Sequence, residues 1–158
     1  VSIAMVYDGQ PVVGVIYNPA THEMFSCQKS KGVYLNGHKV RTSQKTNLFD
    51  ASIVVSRSEV KRNSWEPYLN DFKSINPIGS VAYKLALVSS GNYDIFTTIA
   101  PKNEWDICAG DCLVSEAGGV FKTINDKKII YNQKKTLVTD TIIATNSVLF
   151  EGVSDLLF

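Results

Sequence analysis

The sequence predicts a mixed α/β fold, α+β in its layering, and three observations carry that reading. The first forty residues alternate apolar and polar side chains between tight Asp-Gly and Asn-Gly pairs, the pattern of an antiparallel meander. From residue 51 onward, short β-branched runs alternate with longer apolar-periodic segments that open on Ser or Asp and close on Gly, as strands alternating with helices do. A chain of 158 residues with 44% hydrophobic and 20% charged side chains is long enough for one core and too apolar for disorder. The expected organisation is one domain portion over 1–158, a meander over 1–41 and an alternating β/α segment over 51–158.

Each element has a local cause. Val1 to Tyr7 and Pro11 to Tyr17 are strands joined by Asp8-Gly9, a pair that tolerates the left-handed backbone of a tight hairpin. Asn18 to Thr21 turns the chain into a third strand, Glu23 to Gln28. Lys29 to Asn36 then leads through Asn36-Gly37 into His38 to Arg41. Ala51 to Ser56 is a β-branched run suited to a buried strand, and Trp65 to Phe72 reads as a short helix started near Asn63 or Ser64. Ile75 to Ile78 is a brief strand. After Gly79-Ser80, apolar residues at 81, 82, 85, 86 and 88 predict an amphipathic helix with a Ser cap and a stop at Gly91-Asn92. Tyr93 to Thr98 is a strand, Ala100 to Asn103 a loop, and Asp106 to Ala117 a helix ended by Gly118-Gly119. Val120 to Thr123, a polar loop, Thr141 to Ala144 and a last helix from Asn146 or Ser147 complete the pattern.

Composition excludes several function classes. Sixteen Lys+Arg against 15 Asp+Glu give a net charge of +1 without a basic stripe, which argues against nucleic-acid polymers. No apolar run approaches the ~18 residues of a membrane span, so no membrane role and a cytoplasmic location are expected. Cys27, Cys108 and Cys112 are odd in number and lack a Cys-x-x-Cys pair, which fits reduced thiols; Cys108 and Cys112 fall four apart on one helical face as small buried hydrophobes. Val1 opens directly into a strand, so the chain is expected to be part of a longer polypeptide.

Four places could carry chemistry. Asp106 stands where a helix begins, as a plain N-cap or as a hard oxygen ligand for Mg2+, which takes one or two carboxylates with phosphate and water. Gly79-Ser80 is either a Ser cap or a phosphate cradle at the positive end of a helix. Lys84 lies one turn further along the face of Ser80, within reach of an anion or solvated. Arg57 emerges at a strand end as a phosphate clamp or as a surface arginine beside Glu59. His22 and His38 read as surface residues, and Trp105 as core behind Asp106.

Taken together the segments resemble the inositol monophosphatase superfamily of Mg2+-dependent, Li+-sensitive phosphatases. The stretch Glu104-Trp105-Asp106-Ile107-Cys108-Ala109-Gly110-Asp111, followed by Glu116-Ala117-Gly118-Gly119, is similar to that family's second signature. Gly14 to Pro19, Gly32 to Gly37, Ser56-Arg57-Ser58, Gly79 to Ala82 and Gly91 to Asp94 resemble family segments in the same order. The resemblance implies the C-terminal half of the sugar-phosphatase fold shared with fructose-1,6-bisphosphatase, and in-line attack of metal-activated water on a phosphate monoester. It implies Mg2+ as cofactor with Asp106 as a metal ligand, and Gly79, Ser80, Lys84, Arg57 and Glu104 around the substrate. Family members are often dimers, so a homodimer is expected. The first signature, Asp-Pro-Leu/Ile-Asp-Gly-Thr, does not occur in these residues, so this half alone is expected to be inactive. Ile99 stands where inositol monophosphatases carry a substrate-contacting Glu, while Ala100 to Asp106 resembles the loop of 3'(2'),5'-bisphosphate nucleotidases and Ser80 with Lys84 their Ser-x-x-x-Lys helix. The resemblance therefore points to 3'-phosphoadenosine 5'-phosphate as substrate, with an inositol phosphate as the alternative. A reading of another class is a non-catalytic dimerisation or binding domain that lost its metal centre.

Overall fold

Alternation in the first forty residues becomes a five-stranded antiparallel sheet in sequence order: β1 (Ser2–Tyr7), β2 (Gln10–Asn18), β3 (Glu23–Gln28), β4 (Gly32–Leu35) and β5 (His38–Val40). The computed structural model describes residues 1–157. Tyr7 faces Gln10 and Leu35 faces His38 across two-residue turns, and Asp8-Gly9 and Asn36-Gly37 take positive φ at both positions, 49° and 70°, then 49° and 83°. Those angles match the right-handed twist of the flanking strands, so Asp-Gly and Asn-Gly fix the register. His22 and His38 are exposed, as expected.

The second half builds a mixed sheet from β6 (Ser52–Ser56), β7 (Ser74–Ile78), β8 (Ile95–Thr98), β10 (Gly119–Thr123) and β12 (Ile142–Asn146), ordered β10-β12-β8-β6-β7. β6 runs parallel to β7 and β8, while β12 is antiparallel to β8 and β10. Among the described residues four α-helices accompany it: α1 (Arg57–Lys61), α2 (Val81–Ser89), α3 (Glu104–Glu116) and α4 (Leu149–Leu157). None of the described helices is long and apolar enough to cross a membrane. The polar loop after β10 is not wholly irregular, because β11 (Leu137–Val138) pairs with β9 (Lys102–Asn103) in the loop before α3.

Three apolar clusters define the layers. Ile16, Phe25 and Val33 of the meander meet Ala86, Ala109 and Leu113, so α2 and α3 lie on its inner face. Leu85, Val88, Ile107 and Val114 of the same helices meet Val54, Phe96 and Ile142 of the second sheet. On the far side of that sheet Ile53, Val55 and Ile95 meet Trp65, Leu149 and Val153. The order is sheet, helix pair, sheet, helices, and it explains why α2 is buried from Leu85 to Ser89: it is sandwiched, not amphipathic with one wet face. Close approach of these layers demands glycine. A methyl on Gly110 of α3 would come within 2.3 Å of the Leu85 side chain, and one on Gly14 within 2.7 Å of the Ala109 carbonyl.

Helix placement differs from expectation after β6. Trp65 to Phe72 forms only a single 3-10 turn at Glu66–Tyr68, since Pro67 lacks an N–H and Asn70-Asp71 favour a turn. The helical residues come earlier, in α1, where Glu59 reaches back to accept the Ser56 N–H at 3.4 Å. Finally, β1 is an edge strand that turns Val1, Ile3, Met5 and Tyr7 outward, all exposed, and Ala4 and Val6 inward.

Candidate functional site

A cleft of about 510 Å³ opens between the meander and the second sheet, at the N-terminal ends of α2 and α3. Four of the residues singled out above line it: Arg57, Gly79, Ser80 and Asp106. They come from three connections. Arg57 follows β6 and opens α1, Gly79-Ser80 joins β7 to α2, and Asp106 sits in the first turn of α3. Parallel pairing of β6 with β7 puts Ser56 beside Ile78, and that register delivers Arg57 next to Gly79. A methyl at Gly79 would lie 3.4 Å from an Nη of Arg57, so the guanidinium rests against the glycine.

Ser80 caps α2, its Oγ accepting the Tyr83 N–H at 3.3 Å, with backbone angles of φ 66° and ψ 119°. Such angles are costly for a residue with a Cβ and persist where the surroundings over-determine them. The strained turn sets the N-terminus of α2 at the cleft, where the helix dipole favours an anion.

Asp106 is not the N-cap. α3 starts two residues earlier than expected, with Asn103 as cap, so Asp106 is the third helical residue. Its carboxylate is half-buried at the cleft and has no hydrogen-bond partner among the described residues. A free carboxylate fits one ligand position of a Mg2+ ion. The described residues contain no group of three His, Cys, Asp or Glu side chains able to hold a metal, so this chain fits one corner of such a site and does not complete it.

Three other expectations meet a different geometry. Trp105 is not core: as the second residue of α3 it points outward, 62% exposed, on the wall of the cleft. Glu104 is buried, and its carboxylate accepts the N–H groups of Asn132 at 2.8 Å and Gln133 at 3.1 Å. It fastens the 131–133 segment and does not line the cleft. Lys84 is only 2% exposed, between α2 and the second sheet, with Nζ 5.3 Å from the centroid of the Phe96 ring. It too is absent from the cleft lining, because the fourth residue of α2 turns toward the sheet and not along the Ser80 edge. Burial pushes its ammonium down to about 8, with Glu59 opposing and Lys102 reinforcing the shift. Ile99 is exposed and also lies away from the cleft lining.

Residues the sequence reading missed complete the walls. Tyr17 and Asn18 end β2, Pro19 opens the turn to β3, and Tyr83 comes from α2. The Tyr83 hydroxyl donates to Glu23 at 2.6 Å, tying α2 to β3, and burial and that carboxylate both raise the pKa of the phenol, keeping it protonated. Position i+3 from Ser80 was the available signal. The cysteines are free and buried. Burial pushes the Cys108 thiol up to about 12, away from reactivity. Cys112 faces the meander beside Cys27 and not the sheet that Cys108 meets.

Comparison with known proteins places the geometry in context. The sequence model of the inositol monophosphatase family matches residues 1–155. An inositol-1-monophosphatase of Mesorhizobium japonicum is 33% identical over 156 residues, covering 94% of this chain and 56% of its own length. Among solved structures, an IMPase of Thermotoga maritima superposes with a TM-score of 0.86 at 27% identity, over 99% of this chain and 59% of that one. The extragenic suppressor protein suhB of Bartonella henselae superposes with a TM-score of 0.83 at 28% identity, over 99% and 61%. The chain spans about half the length of the curated relatives it matches.

Proposed function

Because the chain belongs to the inositol monophosphatase family, we propose that it forms part of a Mg2+-dependent phosphomonoesterase acting on a small phosphate ester. The observation that carries this reading is the convergence of Arg57, the Gly79-Ser80 turn and Asp106 on one cleft. A guanidinium offers paired N–H donors to two phosphate oxygens, and the α2 N-terminus offers backbone N–H groups and a positive dipole end. Both hold and orient the ester without changing protonation state. Asp106 supplies a carboxylate to the ion, and bound Mg2+ would lower the pKa of water and offset charge on the phosphoryl oxygens. Tyr17, Tyr83 and Trp105 wall the ester's organic half.

The family's relatives named inositol monophosphatase support an inositol phosphate as the first substrate to try. A second reading, a nucleotide bisphosphate, is favoured by the Ala100 to Asp106 stretch, which resembles the nucleotidase loop and brings Trp105 and Asp106 to the cleft wall. Three buried free thiols support a reducing, cytoplasmic location. The test is phosphate release from inositol 1-phosphate and from 3'-phosphoadenosine 5'-phosphate in Mg2+, on the longest native form of the protein carrying this chain. Asp106→Asn lowers kcat by roughly 100-fold or more, in line with removal of a group that stabilises transition-state charge. Undiminished turnover in that variant refutes the assignment.

A further inference from the structure

Behind the cleft lies a carboxylate that the proposed reaction does not use. Glu59 of α1 is fully buried. Its carboxylate accepts the Thr98 hydroxyl at 2.9 Å, the Trp65 indole N–H at 3.2 Å and the Ser56 N–H at 3.4 Å. All three donors are neutral. The charge opposite it comes from two lysines near enough to feel it, Lys84 from α2 and Lys102 from the loop before α3. Lys84 is as buried as Glu59, and among the described residues the one ion pair in contact is Lys122–Asp126, elsewhere. Lys102 spends its ammonium on the same loop, donating to the carbonyls of Ala100 at 2.8 Å and Pro101 at 3.2 Å, and it also feels Asp106.

We propose that buried Glu59 and Lys84, with half-buried Lys102, form a charge cluster that holds the Ile99–Asn103 loop and thereby sets where α3 begins and where Asp106 points. Glu59 and Lys102 are positioning residues, and Lys84 is the counter-charge that keeps Glu59 an acceptor. The inference rests on the reading of Asp106 as the working carboxylate of the cleft. Thr98 is the physical link. Its hydroxyl has a single proton, which goes to Glu59 at 2.9 Å, while the Ala100 carbonyl stands 3.4 Å away as the alternative acceptor. A buried carboxylate deprived of its counter-charge is costly where it stands, so the side chain and the donors around it rearrange. When that carboxylate moves, the Thr98 hydroxyl loses its shorter bond and turns toward Ala100, disturbing the loop.

The two tryptophans report on the two ends of this chain of contacts. Trp65 binds Glu59 directly, and Trp105 stands at the loop's far end on the cleft wall. In the 15N-labelled chain at neutral pH, without metal or substrate, the two indole N–H resonances are assigned with Trp65→Phe and Trp105→Phe. Lys84→Met is expected to move both resonances by several line widths, and Lys84→Arg to return both. Thr98→Val cuts only the link from carboxylate to loop, so it moves Trp105 further than Trp65. An unmoved Trp65 resonance in Lys84→Met overturns the counter-charge role, and one that moves without Trp105 overturns the positioning role. Should Lys84→Met not fold, Thr98→Val decides: a Trp105 resonance at its native position there refutes the proposal. None of these readouts needs turnover, so the phosphatase reading stands or falls separately on Asp106→Asn.

Discussion

Gly110→Ala sets two effects of opposite sign against each other at one atom. In the middle of a helix, Ala replacing Gly stabilises by about 1 kcal/mol through backbone entropy. At Gly110 the added Cβ would come 2.3 Å from Leu85 Cδ1, 2.5 Å from its Cβ and 2.9 Å from its Cγ. The Cβ of Leu85 is fixed to the α2 backbone, so relief cannot come from rotating the side chain alone and the two helices must separate. Overpacking of that kind costs about 1–3 kcal/mol, and contacts this short belong at or above the upper end. The net expectation is a loss of about 2 kcal/mol, which for a chain of this length lowers the midpoint of thermal unfolding by roughly 4–8 °C. Calorimetry on wild type, Gly110→Ala, Leu85→Ala and the double variant measures it. Leu85→Ala alone costs about 2–5 kcal/mol as a cavity. In the double variant the new methyl occupies part of that space, so the two penalties fall short of additivity by about 2 kcal/mol. A stabilised Gly110→Ala, or strict additivity, refutes the close approach of α2 and α3.

Asp111 and Glu104 give two more tests away from the cleft. Asp111 is buried in α3, accepting the Tyr131 hydroxyl at 2.8 Å and the Ser115 hydroxyl at 3.0 Å, and burial raises its carboxyl from 3.8 to about 6 against those bonds. The folded chain therefore binds more protons than the unfolded one between pH 4 and 6. Stability from this group is present below about pH 4 and lost as pH rises through 6, a swing of about 3 kcal/mol. Urea unfolding of wild type and Asp111→Asn across pH 4 to 7 checks it: the wild type gains on the variant as pH falls, and parallel curves refute it. Glu104→Gln removes a charged acceptor from two backbone N–H groups, a loss of about 2 kcal/mol at that spot. Hydrogen exchange at Asn132 and Gln133 is expected to quicken about 30-fold while amides of α2 do not change. Equal protection in the variant rules out Glu104 as the fastening of that segment.

The meander was legible in the sequence because its instructions are local: Asp8-Gly9 and Asn36-Gly37 each specify a two-residue turn by their own backbone preferences. Helices α2, α3 and α4 were legible in existence and not in environment, whereas α1 was not foreseen and the helix expected over 65–72 is a single 3-10 turn. Periodicity places apolar residues on α2, yet being enclosed by two sheets is decided by chain segments far away in sequence. The same limit governs the site. Arg57, Gly79, Ser80 and Asp106 mark the ends of their elements, where local cap and turn chemistry aims them, and the structure gathers all four. Lys84, Glu104 and Trp105 meet a different environment because one residue of helical rotation or two extra residues of helix exchange cleft for core. Glu59 was seen only as a neighbour of Arg57. Its burial depends on Trp65 and Thr98, and no spacing rule joins those positions.

The outward stripe of β1 has a practical side. Val1, Ile3, Met5 and Tyr7 alternate with inward residues on a strand whose outer edge has no neighbour among the described residues, and the strand itself carries neither lysine nor proline to blunt it. Such an edge is a template for strand addition. In concentrated preparations of this chain, loss of soluble material should begin there and slow when a charge is placed at Ile3 or Met5, whose side chains face solvent and support no core contact.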